Sequence, residues 1–154
     1  MIRYDDLMTA TSRPTPAFGP QGIFLIFLFA LIFNAIWENL HAPLYISYRG
    51  QTITELILLR AAVVDAGMIT LLALPFIYNA GFRRRSWLII PLGILIAVFL
   101  ELYALNSARW AYTSDMPLVP FLAVGLTPTL QLGPLGYLAF WIVENLMKRD
   151  ARIG

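Results

Sequence analysis

The sequence predicts an all-α membrane protein, a single domain over residues 1–154 with four transmembrane helices, the fourth of which is broken by proline and glycine. Of the 154 residues, 59% are hydrophobic and 13% are charged, whereas a soluble domain is roughly half apolar and about a quarter charged. The mean hydropathy is +0.71. Four apolar stretches also reach the ~20 residues that a helix needs to cross a bilayer.

The predicted spans follow an N-terminal tail. This tail, residues 1–21, mixes charged residues with three prolines, and the apolar run after it is too long for the core of a signal peptide. We therefore expect that run to be retained as the first span. The four spans cover residues 22–43, 56–78, 87–106 and 118–147.

The last stretch is longer than a bilayer requires, and it is interrupted by helix-breaking residues. Pro120, Pro128 and Pro134 each lack a backbone N–H donor, and three glycines lie among them. Its first third is therefore predicted to be interfacial or re-entrant, because non-helical backbone in a membrane must be buried in protein or lie at an interface. A regular helix is expected after about Thr127.

Lysine and arginine residues indicate the orientation of the spans, because the cytoplasmic loops of membrane proteins carry an excess of them. Eight of the 11 lie in the N-terminal tail, the second loop and the C-terminal tail, and the other three lie in or near the remaining loops. Both termini are therefore predicted to be cytoplasmic, with the bacterial inner membrane as the expected location. The loops around residues 45–57 and 106–118 would then face away from the cytoplasm.

Three carboxylates from three different spans are predicted to lie at one depth. Glu38 is about one turn from the outer end of the first span, Asp65 lies ~10 Å below the outer surface, and Glu101 is about one turn inside the third span. Charged residues within a bilayer cost several kcal/mol each and usually face the bundle interior or a cavity. Three such groups cannot all ionise cheaply, so we expect a protonated acid beside an ionised carboxylate, on the side away from the cytoplasm.

Other polar and aromatic residues near this layer are candidates to bind a substrate. Asn34 and Glu38 are four residues apart and share a helical face, and Trp37 lies beside them. Arg109 is expected either to pair with one of the carboxylates and set its ionisation or to bind a lipid phosphate. Structural alternatives stay open, because aromatic rings form belts at membrane interfaces and polar groups join helices. The candidate substrate-binding residues are Asn34, Trp37, His41, Arg109, Trp110, Tyr112 and Gln131.

Several kinds of site are excluded or disfavoured by the sequence. Glu38 and His41 have the spacing of a di-iron helix pair, but His41 is the only histidine, so no metal and no other cofactor is predicted. The chain has no cysteine, which excludes disulfides and thiolate chemistry. A net charge of +2 gives no basic field for nucleic acid. The motifs of zinc proteases, serine hydrolases and nucleotide-binding loops are missing.

Two stretches carry resemblances to known proteins. The segment NAIWENLHAPLY, Asn34–Tyr45, resembles the N-x-x-W-E helix of the membrane-bound terpene cyclases of fungal meroterpenoid pathways. This resemblance, over about a dozen residues, implies that Glu38 protonates an epoxide or olefin with help from a second carboxylate. The segment Glu101–Tyr112, with its later W-x-Y, is similar to carotenoid-modifying membrane proteins. WE…PLY and W-x-Y-x-x-x-MP are also similar to stretches of small bacterial membrane proteins, which implies no activity.

The leading functional hypothesis is a membrane enzyme that cyclises or isomerises an apolar isoprenoid-type substrate. Glu38 would be the general acid, Asp65 and Glu101 its partners, and Trp37 and Trp110 would shield a cation. One alternative is a non-enzymatic protein that binds a lipid, quinone or pigment, or a small subunit of a larger membrane complex. A second is a proton-coupled carrier that works as a homo-oligomer. The expected partners are a membrane lipid or isoprenoid and no nucleic acid.

Overall fold

Four long helices dominate the part of the chain that the computed structural model describes, residues 18–153, with side chains described up to residue 149. A one-turn helix, α3 (Ala80–Arg83), and two 3₁₀ turns, Ala42–Leu44 and Ser86–Leu88, join them. The long helices are α1 (Pro20–His41), α2 (Glu55–Tyr78), α4 (Ile89–Asn106) and α5 (Leu126–Ile153).

Three of these helices are long and apolar enough to cross a membrane. With the turns that extend them, they cover Pro20–Leu44, Glu55–Tyr78 and Ser86–Asn106, close to the first three predicted spans. Among the described residues, the fourth predicted span, 118–147, does not qualify. Its first residues form turns and an isolated bridge, and threonines, prolines and Gln131 reduce the hydropathy of α5. The helix itself begins at Leu126, one residue from the predicted start.

The structure is mostly helical, as predicted, and two short strands also pair at one end of the bundle. Strand β1 (Tyr45–Tyr48) follows α1, and strand β2 (Trp110–Tyr112) follows α4. They are antiparallel, with Tyr45 opposite Tyr112 and Tyr48 opposite Trp110. Both segments are rich in aromatic residues, which favour strands. The pairing places the two loops that follow α1 and α4 at the same end of the bundle.

Helix α1 turns one regular stripe of residues inward. The stripe consists of Gly22, Ile26, Ala30, Asn34 and Glu38, all buried and spaced four residues apart. Residues four apart lie on one face of a helix, so this face is apolar in its first half and polar in its second half. The polar half is next to the two-stranded sheet, since α1 leads directly into β1.

The long helices pack unequally around the bundle. Helix α1 packs against α2 and α5, and α4 packs against α5, whereas α2 and α4 make little contact. The tight α4–α5 contact depends on Gly93 and Gly133, because a Cβ on either would overlap backbone atoms of the facing helix. The weak α2–α4 contact leaves a gap on that side. Val64, which lines the cavity on this side, is 59% exposed and faces outward.

Candidate active site

A cavity of about 300 Å³ lies at the sheet end of the bundle, between α1, α2 and α4. This volume is at the small end of the ~300–1,000 Å³ range of ligand pockets. Glu38 of α1, Asp65 of α2 and Glu101 of α4 all line it. The structure therefore brings the three carboxylates from separate helices together around one space.

Gln131 of α5 connects oxygen atoms of three side chains from two other helices, two of them buried and the third, Asp65, half-buried. Its Nε2 donates towards Asn34 Oδ1 at 2.9 Å, Glu38 Oε1 at 2.8 Å and Asp65 Oδ2 at 2.9 Å. The Asn34 amide is itself oriented, because its Nδ2 donates to the Ala30 carbonyl at 2.7 Å. The two carboxyl groups therefore lie within ~6 Å of each other, where like charges interact strongly.

The two amide hydrogens on Gln131 Nε2 are too few to bond all three neighbouring oxygens. An amide nitrogen carries two hydrogens, while an ionised carboxylate only accepts. One of the three acceptors must therefore share a hydrogen or obtain one elsewhere. A proton on either Glu38 or Asp65 would supply the missing hydrogen and leave one carboxylic acid beside one carboxylate.

Glu101 is held by a different kind of donor. The Tyr112 hydroxyl donates to Glu101 Oε1 and accepts from the Gly125 backbone N–H at 2.9 Å. Burial, followed by the hydrogen bond to Glu101, raises the pKa of Tyr112 above its ordinary range. Burial and then the charge of Glu101 raise the pKa of Tyr45 in the same way. Both phenols are therefore neutral donors at pH 7.

His41 lies between the carboxylates and the aromatic rings. Its Nδ1 is 2.7 Å from the Trp37 carbonyl oxygen, an acceptor, so we assign the hydrogen of the neutral ring to Nδ1. Its Nε2 is then free to face Glu38 Oε2, 3.8 Å away. The imidazole packs 5.5 Å from the Tyr45 ring, centroid to centroid. His41 is thus placed to exchange a proton with Glu38 after a small movement or through a water molecule.

The predicted substrate-binding residues divide into two groups. His41, Arg109 and Trp110 line the cavity. The other four, Asn34, Trp37, Tyr112 and Gln131, are not among its lining residues. Three of them contact the carboxylates or their neighbours from behind, as described above. Trp37 packs its ring 6.1 Å from that of His41, centroid to centroid, and its indole N–H is buried without a hydrogen-bond partner among the residues described.

The expected pairing of Arg109 with a carboxylate is wrong. Its Nη2 donates to the Tyr103 hydroxyl at 3.2 Å, and its guanidinium lies 4.9 Å from the centre of the Tyr103 ring. Strand β2 begins at the next residue and fixes the backbone, so the Arg109 side chain stays near the end of α4. Within residues 18–149, its guanidinium forms no salt bridge with Asp65 or Glu101.

Some cavity residues were not singled out from the sequence. Tyr45 and Tyr48 line the cavity, and the Trp110 ring packs 5.0 Å and 4.7 Å from theirs, centroid to centroid. Their sequence signal was ambiguous, since it matched an interfacial aromatic belt. Arg60 of α2 also lines the cavity. Arg60 lies within a stripe of cavity-lining residues of α2 that runs from Ile57 to Asp65 at helical spacing. This stripe could have indicated Arg60 from the sequence.

Within the described residues, no three His, Asp or Glu side chains are arranged to hold a metal ion. Comparison of the chain with known proteins finds no matching family model, no matching curated protein and no matching solved structure. The geometry of the cavity is therefore the basis for assigning a function.

Proposed function

We propose that the protein is a membrane-embedded enzyme that isomerises or cyclises an apolar isoprenoid-type molecule by carboxylic acid chemistry. The observation that supports it is the convergence of Glu38, Asp65 and Glu101 on one cavity with aromatic walls. Glu38 and Asp65 share an amide donor, whereas Glu101 has a phenol donor, so the three groups have different environments. Different environments allow one carboxyl to act as an acid and another as a base.

The proposed reaction needs no oxidant and no reductant. The Glu38 carboxylic acid gives its proton to one carbon of a double bond, which forms a C–H bond and leaves a carbocation on the other carbon. A carboxylate, Glu101 in this proposal, then removes a proton from a neighbouring carbon, and the double bond re-forms at a new position. If a second double bond attacks the cation first, a ring closes. Substrate and product have the same composition in both cases.

The walls of the cavity suit a cationic intermediate. Tyr45, Tyr48 and Trp110 present π systems, which attract cations at ~0.5–2 kcal/mol per contact. Trp110 keeps the shielding role expected from the sequence. Tyr45 and Tyr48 take the role expected of Trp37, which does not line the cavity. Between turnovers Glu101 would release its proton to water, and His41 would bind a proton from water at Nε2 and pass it to Glu38.

The proposed topology has four spans, with α5 as the fourth and both termini in the cytoplasm. The cavity and the two-stranded sheet would then lie on the non-cytoplasmic side of the bacterial inner membrane. Because the chain has no cysteine, single cysteines can report each loop. A membrane-impermeant maleimide added to whole cells should label Ser114→Cys in the loop after β2 and should not label Ser86→Cys before α4. The reverse pattern would contradict this orientation.

The acid chemistry can be tested by deuterium incorporation. The protein in liposomes is incubated in D₂O with geranylgeraniol or geranylgeranyl phosphate, and the lipid is analysed by mass spectrometry. Protonation from solvent-exchanged Glu38 should add deuterium to carbon with each turnover. Glu38→Gln should lose at least 100-fold of this rate, as removal of a general acid typically does.

The matched control is Glu144→Gln. Glu144 does not line the cavity, and its Oε1 pairs with Lys148 Nζ, 3.0 Å away. This variant should incorporate deuterium at the wild-type rate. Circular dichroism of both variants checks that they are folded. Unchanged incorporation in folded Glu38→Gln would exclude the acid role.

A second candidate is a protein that binds a lipid, quinone or pigment without turnover. The observation that favours it is the gap between α2 and α4, where the apolar Val64 lines the cavity and is exposed at the surface. Such a gap admits a chain from the bilayer whether or not chemistry follows. Mass spectrometry of the purified protein would find a bound molecule of constant composition, and no deuterium would enter carbon in D₂O.

A further inference from the structure

Two arginines line the same cavity as the three carboxylates without pairing with them. Arg60 belongs to α2, and Arg109 directly precedes β2. Among the residues that the structure describes, neither forms a salt bridge. The side chain of Arg109 contacts Tyr103, and its backbone bonds Ala104 and Arg49. The cavity therefore contains opposite charges that are held apart.

The arginines and the carboxylates occupy different depths. Arg60 precedes Asp65 by five residues in α2, which is ~7.5 Å along the helix axis towards the sheet end. Arg109 follows the C-terminal end of α4, beyond Glu101. Both guanidiniums are thus nearer the end of the bundle, and the carboxylates are nearer its middle. In the orientation proposed above, the arginines lie at the depth of lipid head groups.

The carboxylates are occupied by neutral donors, which leaves the arginines available. Gln131 serves Glu38 and Asp65, and Tyr112 serves Glu101. A guanidinium in a partly apolar cavity attracts an anion strongly, and its fork of N–H donors matches phosphate oxygens. A phosphate monoester carries a charge of about −1.5 to −2 at pH 7, which two arginines would neutralise.

We propose that the substrate is a single-chain amphiphile with a phosphate head group bound between Arg60 and Arg109. Its apolar chain enters through the gap between α2 and α4, and its first double bond then lies against the carboxylates. This inference rests on the proposed function for the chemistry of the chain, but head-group binding is measurable without turnover.

The test uses ligand-induced thermal stabilisation of the full-length protein in detergent, since a ligand that binds only the folded state raises its melting temperature. The probes are geranylgeranyl phosphate, geranylgeraniol and inorganic phosphate, each titrated to give an apparent affinity. Because hydrogen bonds to charged groups are stronger than those to neutral groups, the phosphate should bind at least tenfold more tightly than the alcohol. Inorganic phosphate, which lacks the chain, should give no shift at the same concentrations.

The variants Arg60→Gln and Arg109→Gln should each reduce the affinity for geranylgeranyl phosphate about tenfold and leave that for geranylgeraniol unchanged. The matched control is Arg84→Gln, an exposed arginine at the opposite end of the bundle, which should bind as the wild type does. Glu38→Gln should also bind the phosphate, even though it is expected to lose turnover.

Each outcome separates this inference from the proposed function. Equal affinities for the alcohol and the phosphate would overturn the head-group site while leaving the acid chemistry open to its own test. Stabilisation by inorganic phosphate that matches the amphiphile would replace the proposal with a free phosphate site. If Arg84→Gln lost the preference for the phosphate over the alcohol as fully as Arg60→Gln, the attraction would be non-specific. That result would also overturn the head-group site.

Discussion

Replacing Gln131 by leucine removes a donor that three acceptors share. The resulting loss in the free energy of unfolding measures how much these polar contacts stabilise the helix bundle. The Gln131 Nε2 atom lies 2.8–2.9 Å from oxygens of Asn34, Glu38 and Asp65. These residues belong to α1 and α2, whereas Gln131 belongs to α5. Since the nitrogen has two hydrogens, the substitution removes the equivalent of two hydrogen bonds between helices.

Two estimates of the cost compete. Hydrogen bonds between membrane helices contribute ~0.6 kcal/mol on average and at most ~1.7, because the freed groups usually find other partners. A buried acceptor left without a partner costs about 1–3 kcal/mol. The second estimate should apply, because Asn34 is 0% exposed and Glu38 is 6% exposed. Gln131→Leu should therefore lower the free energy of unfolding by roughly 2–6 kcal/mol, twice the cost of one unpartnered acceptor.

The measurement is unfolding by SDS in mixed micelles, followed by circular dichroism at pH 7. Asn145→Leu is the matched control, since Asn145 is an amide on the same helix whose Nδ2 bonds only the Trp141 carbonyl, 2.8 Å away in its own helix. It should change the free energy of unfolding by no more than ~0.5 kcal/mol. If Gln131→Leu lowers the free energy of unfolding no more than Asn145→Leu does, the hydrogen bonds of Gln131 do not stabilise the contacts between the helices.

Two further predictions concern packing and alkaline stability. Gly133→Ala should lower the free energy of unfolding by about 1–3 kcal/mol, because its Cβ would force α5 away from the Ile90 carbonyl. Gly67→Ala, which has open space around it, should raise that free energy slightly. Equal effects of the two variants on SDS unfolding would argue against the close contact. Because burial raises the folded-state pKa of Tyr112 above its ordinary value near 10, the folded state binds more protons above that pH. The free energy of unfolding should therefore fall as pH rises from 9 to 11, and Tyr112→Phe should show a shallower fall in the same assay.

The depth of the carboxylates could be predicted from the sequence, because depth depends only on where a span begins and on a helical rise of ~1.5 Å per residue. Glu38, Asp65 and Glu101 do line one cavity. The shared helical face of Asn34 and Glu38 was also predicted, since the two residues are four apart, and both are buried. Three of the predicted spans agree with apolar helices for the same reason: long hydrophobic runs have few alternatives.

The partners of these side chains could not be predicted, because they depend on how the helices rotate and approach one another. Nothing in the spacing of Gln131 indicates that one amide nitrogen reaches two other helices. The pairing of Tyr45 with Tyr112 joins segments more than sixty residues apart, so local pattern did not reveal it. Of the two roles expected of Arg109, pairing with a carboxylate does not occur, because its side chain contacts the nearby Tyr103 ring and hydroxyl.

The separation of charges in the cavity gives a physical reason for the polar residues behind it. An arginine that paired with Glu38 or Asp65 would hold that carboxyl ionised and would use up the cation. Gln131 and Tyr112 instead bind the carboxyl groups with neutral donors, which tolerate a carboxyl with or without its proton. The acids then remain free to exchange protons, and Arg60 remains free to bind an anion. This consistency supports the proposal that the buried amide and phenol position the groups of a reactive site, since salt bridges would have joined the helices equally well.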